Sequence, residues 1–174
     1  MTVLETGRLL IRPWSLPEDA ADAADIFGDP RVMRFIPVGA LDAAGALRLV
    51  ERMMERARAD GFGMWPVVDR ATSRIVGESG ITYVPGTRDV EIAWLLRADA
   101  WGRGYATEAA SAILAFALDV LGLQRVYALI DRENGASIRV ANRLGMRYDR
   151  IVRAYKRDLM RYVVRKRSEA EAQR

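Results

Sequence analysis

Between a strand-like run, Val90 to Leu96, and a long apolar-periodic run, Ala106 to Leu121, the chain reads Trp101-Gly102-Arg103-Gly104-Tyr105-Ala106-Thr107-Glu108. Two glycines one residue apart allow a strand to turn straight into a helix. Such a corner leaves the first helical N–H groups unpaired and facing outward, with the positive end of the helix dipole behind them. Donors set out in this way suit a phosphate or pyrophosphate, and glycine lets a ligand approach backbone that a Cβ would shield. On spacing alone the corner is equally a tight turn with no ligand. It does demand a partner: a helical crossover returns the chain to a second strand lying parallel to the first.

The remaining sequence supplies the elements around that corner. Residues 3–12 read as one strand, with Leu9 and Ile11 alternating against Arg8 and Arg12. Pro17-Glu18-Asp19-Ala20 opens a helix that Gly28-Asp29-Pro30 closes. Leu41, Ala44, Leu47, Val50, Met53, Met54 and Ala57 predict a second helix over 41–59. The period then changes, and Phe62–Val68, Ile75–Val84 and Val90–Leu96 read as strands joined by hairpin-length links. Gly122 stops the crossover helix, in which Ala106, Ala109, Ala110, Ile113, Ala117 and Leu121 form one stripe. Arg125–Ile130 is the parallel partner strand. Asn134 caps a helix over 135–144, and strands near 146–153 and 158–166 close the chain. The expected fold class is α/β, a mixed, mostly antiparallel sheet of about seven strands with one central parallel pair and about four helices. Residues 2–167 are expected to form a single domain and 168–174 a polar tail.

Composition narrows the chemistry. The chain of 174 residues holds no cysteine and no histidine, which excludes Ser-His-Asp and Cys-His catalysis, disulfides and the familiar zinc sites. No metal site is expected. Acid–base work falls to Glu, Asp, Tyr, Lys or water. The net charge of +4 could suit nucleic acid, but the basic residues scatter, and only Lys156 and Lys166 among the 27 are lysines. A solvated basic surface is the favoured reading, with no nucleic-acid partner, and an anionic cofactor would be equally well served. No apolar run is long enough for a membrane span and no signal peptide is read at the N-terminus, so a cytoplasmic location is expected.

Element order and local motifs together resemble the GNAT superfamily of N-acetyltransferases, and within it the RimJ/RimL-like branch. The resemblance runs through Glu5-Thr6-Gly7-Arg8-Leu9-Leu10-Ile11-Arg12-Pro13-Trp14, Glu18-Asp19-Ala20, Ile75-Val76-Gly77-Glu78 and Glu91-Ile92-Ala93-Trp94. It continues to Asn134-Gly135-Ala136-Ser137-Ile138-Arg139-Val140 and Leu144-Gly145-Met146. It implies a splayed central parallel pair, acetyl-CoA as acyl donor, and an amine acceptor, either a protein N-terminus or a small molecule. Pairing into a homodimer is compatible with it.

The family's pyrophosphate pattern is Gln or Arg, two residues, Gly, one residue, then Gly or Ala. Gly104 and Ala106 fit it, and Trp101 replaces the Gln or Arg, as is common in the RimJ/RimL-like branch. The resemblance thus implies that backbone N–H groups of Arg103, Gly104, Tyr105, Ala106 and Thr107, beside Trp101 and Gly102, hold the pyrophosphate. Leu95, Leu96 and Arg97 would pair with the pantetheine arm as if it were an added strand, and Arg103 could add charge. Many relatives place a tyrosine acid seven residues after the asparagine, but here that position is Ala141. The branch instead has a serine three residues after it, so Ser137 is expected near the thiol and Asn134 as a cofactor or water ligand. Helix capping explains Asn134 and Ser137 equally well. Glu91 is the leading proton acceptor for the amine and Glu78 the reserve, although strand alternation leaves both open to a surface role. Glu108 and Asp19 read as first-turn acids that complement helix dipoles.

Two rival readings remain at this level. Gly102-x-Gly104 followed by Asp131 mimics a dinucleotide fingerprint, but Thr107 stands at the third glycine. A non-catalytic acyl-CoA-binding module of the same fold is the other, suggested by the absent tyrosine. Asp25, Met33, Phe35, Trp65 and Tyr83 are the candidate walls of the acceptor pocket.

Overall fold

The computed structural model describes residues 3–166. Its elements run β1 (Leu4–Glu5), β2 (Leu9–Ile11), α1 (Ala20–Gly28), α2 (Ala43–Asp60), β3 (Met64–Asp69), β4 (Arg74–Tyr83) and β5 (Val90–Leu96). After these come α3 (Tyr105–Ala115), β6 (Arg125–Ile130), α4 (Gly135–Arg143), β7 (Arg147–Ala154) and β8 (Arg157–Arg165). The polar tail at 168–174 lies outside the described residues. No described helix is long and apolar enough to cross a membrane.

The eight strands make one sheet in the order β1-β2-β3-β4-β5-β6-β8-β7. Every neighbouring pair is antiparallel except β5 and β6. The extra strand arises at the N-terminus, where residues 3–12 fold back instead of running straight. Thr6 accepts the Leu9 N–H on its hydroxyl at 2.9 Å and donates its own N–H to the Leu9 carbonyl at 2.9 Å. That turn splits one expected strand into β1 and β2.

Helices cover both faces of the sheet. On one face Ala109, Ala110 and Ala117 of the crossover are fully buried, and their small side chains let the helix lie close against Val90, Ile92, Val126 and Ala128. On the other, Ala23, Ile26 and Phe27 of α1 and Ala46 and Val50 of α2 enclose a second apolar layer with Trp14 and Val68. Asp42 caps α2 by accepting the Gly45 N–H at 2.7 Å.

The crossover helix departs from its expected stripe at its C-terminal end. Residues Phe116–Val120 form a π-helical turn, with the Leu121 N–H donating to the Phe116 carbonyl at 3.0 Å. The additional residue in that turn rotates the end of the helix about its axis. Phe116 and Ala117 are consequently buried, whereas Val120 and Leu121 face solvent.

Candidate active site

The parallel pair is joined at a single register position, Glu91 opposite Tyr127. Beyond it β5 continues to Leu96 and β6 to Ile130 without further pairing. On its other edge β5 stays bonded to β4, and the Arg97 N–H donates to the Val76 carbonyl at 2.9 Å. Ladder alternation then turns the main-chain groups of Trp94 and Leu96 away from β4. They face a cleft of about 700 Å³ whose walls include Trp94, Leu95, Leu96, Trp101, Gly104, Ala106, Asn134 and Ser137.

At one end of this cleft lies the N-terminus of α3. Gly104 takes the N-cap position with φ 79, a left-handed conformation that glycine adopts without steric cost, and it uses no side-chain cap. The N–H groups that open the helix therefore have no intrahelical acceptor and meet the cleft at Gly104, Tyr105, Ala106 and Thr107. Trp101 braces the corner, its indole N–H donating to the Leu96 carbonyl at 2.9 Å. The helix is also tied to the N-terminal hairpin. Glu108 accepts the Thr6 hydroxyl at 2.6 Å, the Arg8 N–H at 3.0 Å and the Arg8 guanidinium at 2.7 Å, and these donors hold its carboxyl below the usual range despite partial burial.

Two expected binding residues stand apart from the cleft. Arg97 is not on its wall: its N–H goes to Val76, its carbonyl accepts from Ala100, and its guanidinium lies 3.5 Å from Asp22 and 3.4 Å from Asp25. Both backbone groups are committed, so Arg97 cannot pair with an added strand, and Leu95, although its side chain lines the cleft, likewise turns its main-chain groups toward Glu78 on β4. Arg103 also lies off the wall, and its carbonyl accepts from Arg8 at 3.0 Å.

Farther along, Asn134 caps α4 by accepting the Ser137 N–H at 3.1 Å. The Ser137 hydroxyl oxygen in turn accepts the Trp94 indole N–H at 3.2 Å, and both Ser137 and Asn134 face the cleft. The capping role is thus real, and it coexists with exposure to the cleft.

Glu91 sits at the apex where the strands join, and only 6% of it is exposed. Burial pushes its carboxyl up to about 8. It is not itself on the cleft wall. Its carboxylate Oε1 accepts a hydrogen bond from the Tyr155 hydroxyl, delivered by the β7–β8 turn. Two residues on, Arg157 donates to the Phe35 carbonyl at 3.2 Å and pairs with Asp131. Sequence reasoning missed Tyr155, Arg157 and Asp131 as neighbours of the site. The one signal within reach was the Tyr155-Lys156 link, a two-residue turn without the usual glycine or asparagine.

Glu78 is equally buried but stands between Pro66 and Leu95 in the middle of the sheet. Its Oε2 has no partner among the described residues, and burial raises it to about 8 as well. It does not reach the cleft. Of the candidate acceptor walls, Phe35 lines the cleft, whereas Met33 and Trp65 are core residues and Tyr83 packs on Phe62. Asp25 faces Arg97. Among the described residues no group of three or more His, Cys, Asp or Glu is placed to hold a metal ion.

This fold, with its splayed parallel pair and open helix N-terminus, is shared with solved acetyltransferases. The profile of the acetyltransferase (GNAT) domain matches residues 8–147, and the chain belongs to that family, whose members use acetyl-CoA. The uncharacterized N-acetyltransferase YnaD of Bacillus subtilis is 31% identical over 144 residues, covering 83% of this chain and 82% of its own. A GNAT-family acetyltransferase from Bacillus anthracis superposes with a TM-score of 0.83 at 25% identity, covering 95% of this chain and 99% of its own. The microcin C7 self-immunity acetyltransferase MccE, solved with acetyl-CoA and AMP, shares the fold at a TM-score of 0.76 and 14% identity, covering 92% and 93%.

Proposed function

We propose that the protein is an N-acetyltransferase that moves an acetyl group from acetyl-CoA to a primary amine, a protein N-terminus or a small molecule, within a ternary complex. One observation carries this reading. The edge of β5, free of strand partners at Trp94 and at the Leu96 N–H, opens onto a cleft that ends at the free N–H groups of α3 and starts beside a buried carboxylate. The arrangement suits a long arm with amide groups and a pyrophosphate at one end. Trp101, with its indole on the Leu96 carbonyl, favours the RimJ/RimL-like branch. Residues 2–167 act in this reading as one catalytic unit.

Bound acetyl-CoA supplies the acetyl group as a thioester, whose sulfur is a tolerable leaving group because a thiol ionises near pH 8.5. The N–H groups of Gly104, Tyr105, Ala106 and Thr107 hold the pyrophosphate, with the helix dipole adding to the attraction. The main-chain groups of Trp94 and the N–H of Leu96 align the arm. Glu91 takes a proton from the acceptor ammonium, directly or through water, so that the nitrogen lone pair is freed for attack. A C–N bond then forms as the C–S bond breaks. As the C–S bond breaks, the attacking nitrogen sheds its remaining extra proton and the sulfur gains one. Ser137 can relay it, because with its oxygen accepting from Trp94 its own O–H is free to donate to sulfur while the hydroxyl takes up the proton that the nitrogen releases, directly or through water.

The test is a screen of amine acceptors with acetyl-CoA, read by thiol release. Turnover with a subset of amines is expected, and Glu91→Gln is expected to lower kcat by about a hundredfold or more. Tight binding of acetyl-CoA with no thiol release for any amine class would instead favour a non-catalytic acyl-CoA-binding module.

A further inference from the structure

The turn joining β7 and β8 consists of Tyr155 and Lys156, both in left-handed conformations with φ of 50 and 60. Two-residue hairpin turns of that shape favour Asn-Gly and Asp-Gly, because a Cβ crowds the backbone there. Tyrosine is a poor residue for the turn itself. Its hydroxyl reaches across the fold to Oε1 of Glu91, a residue 64 positions earlier. The turn is also fastened in place, since Arg157 joins the Phe35 carbonyl and Asp131 immediately after it.

Apart from Glu78, which lies farther along the same face opposite Leu95, the charged groups that flank Glu91 on β5, β6 and β8 are already committed. Asp89, two residues before Glu91, is paired with Arg125 at 3.6 Å and Arg161 at 3.7 Å. Tyr127 stands opposite on β6 with the Arg161 guanidinium over its ring at 4.4 Å. Thr82, opposite on β4, is uncharged. Arg157 is held by Asp131. Among the described residues, Tyr155 is the one side chain bonded to the Glu91 carboxylate.

We propose that Tyr155 is the positioning residue for Glu91: its hydroxyl fixes one carboxylate oxygen and favours the charged form, leaving the second oxygen free to take the acceptor's proton. The inference rests on the reading of Glu91 as proton acceptor. It explains why a residue ill suited to its turn occupies it, and how a carboxyl so deeply buried stays usable as a base. A donor hydrogen bond to the ionised form opposes the effect of burial.

Three measurements test it. In the protein without donor or acceptor, the Glu91 carboxyl is titrated by carbon NMR. Tyr155→Phe should raise its midpoint by about one pH unit, the equivalent of one lost hydrogen bond to a charged group. In turnover with the best amine of the screen, Tyr155→Phe should lower kcat by about tenfold or more with little change in KM for acetyl-CoA, and move the acidic limb of kcat upward. The amine's own ionisation is common to both proteins, so the difference isolates Glu91. Finally, Tyr155→Asn places a residue that tolerates the left-handed region, and should keep or raise the melting temperature while kcat falls. An unchanged Glu91 midpoint in Tyr155→Phe, or a melting temperature that falls with activity in Tyr155→Asn, overturns the proposal. If Glu91→Gln keeps the parent's turnover, the base assignment itself is wrong. If Glu91→Gln is inactive but Tyr155→Phe matches the parent in midpoint and kcat, only the role of Tyr155 is lost.

Discussion

The indole N–H of Trp94 donates to the hydroxyl oxygen of Ser137 at 3.2 Å, joining the splayed strand to the first turn of α4 across the cleft. This bond sets the direction of the serine's own proton, because an oxygen that accepts from Trp94 donates elsewhere. Ser137→Ala is expected to lower kcat by about tenfold or less, since a thiolate needs little help in leaving. KM for acetyl-CoA should change little. Trp94→Phe should reproduce part of the loss while keeping the aromatic packing, and steady-state kinetics on both variants measures the contribution.

Gly104 gives a sharper test of donor binding. A Cβ there meets nothing closer than the Arg8 guanidinium at 3.6 Å, so space is not the obstacle; the φ of 79 is. Gly104→Ala should cost about 1 kcal/mol of stability or somewhat more, because alanine resists the left-handed region. It should also tilt the first N–H groups of α3. The thermal shift produced by saturating CoA is expected to shrink, and KM for acetyl-CoA to rise more than kcat falls.

Glu78 and Glu91 both make stability depend on pH, in the same sense. Each carboxyl ionises near 4.5 in an unfolded chain and is raised to about 8 in the fold. Between those values the folded protein holds protons that the unfolded chain has released, so stability is greatest at the acid end and falls as pH rises toward 8. The slope is about 1.4 kcal/mol per pH unit for each group, as an upper figure. Glu78→Gln stays neutral throughout, so its melting temperature should gain on the parent's steadily from pH 5 to pH 8 and run parallel above that. For Glu91 the same shift implies that kcat climbs with pH through 7 to 8.

Arg157 ties the hairpin tip to the Phe35 carbonyl and to Asp131. Arg157→Ala removes the partner of Asp131, whose side chain is only 16% exposed, and frees the Phe35 carbonyl. A loss of about 1–3 kcal/mol is expected from chemical denaturation. KM for the amine should rise as the 31–36 segment and the hairpin tip lose their common anchor. Arg157→Lys should recover only part of either effect, because a single ammonium cannot replace the planar fork.

Much of this architecture was readable from periodicity. Val90–Leu96 and Arg125–Ile130 are strands at those bounds because their apolar runs end at sharp breaks, and the paired glycines forced a corner between them. Asn134 was readable as a cap for the same local reason. The features that escaped depended on distant contacts. The fold-back at Thr6 uses a hydroxyl that no apolar pattern records. The π-helical turn at Phe116–Val120 rotates Leu121 off a stripe that looked continuous. Glu78 reads as a reserve base or a surface residue until the sheet order places β4 between β3 and β5 with helices over both faces. Tyr155 lies in a two-residue turn, and nothing local connects it with a carboxylate on the other side of the central strands.

The divided strands separate two tasks mechanically. One partner of the cleft, α3 and the edge of β5, belongs to the rigid centre of the molecule and would grip features shared by every CoA ester. The other, the segment carrying Phe35 and the tip carrying Tyr155, consists of connections, which tolerate exchange far better than sheet or helix. New acceptor preferences could therefore arise in this scaffold by rewriting loop positions alone, with the donor grip inherited intact.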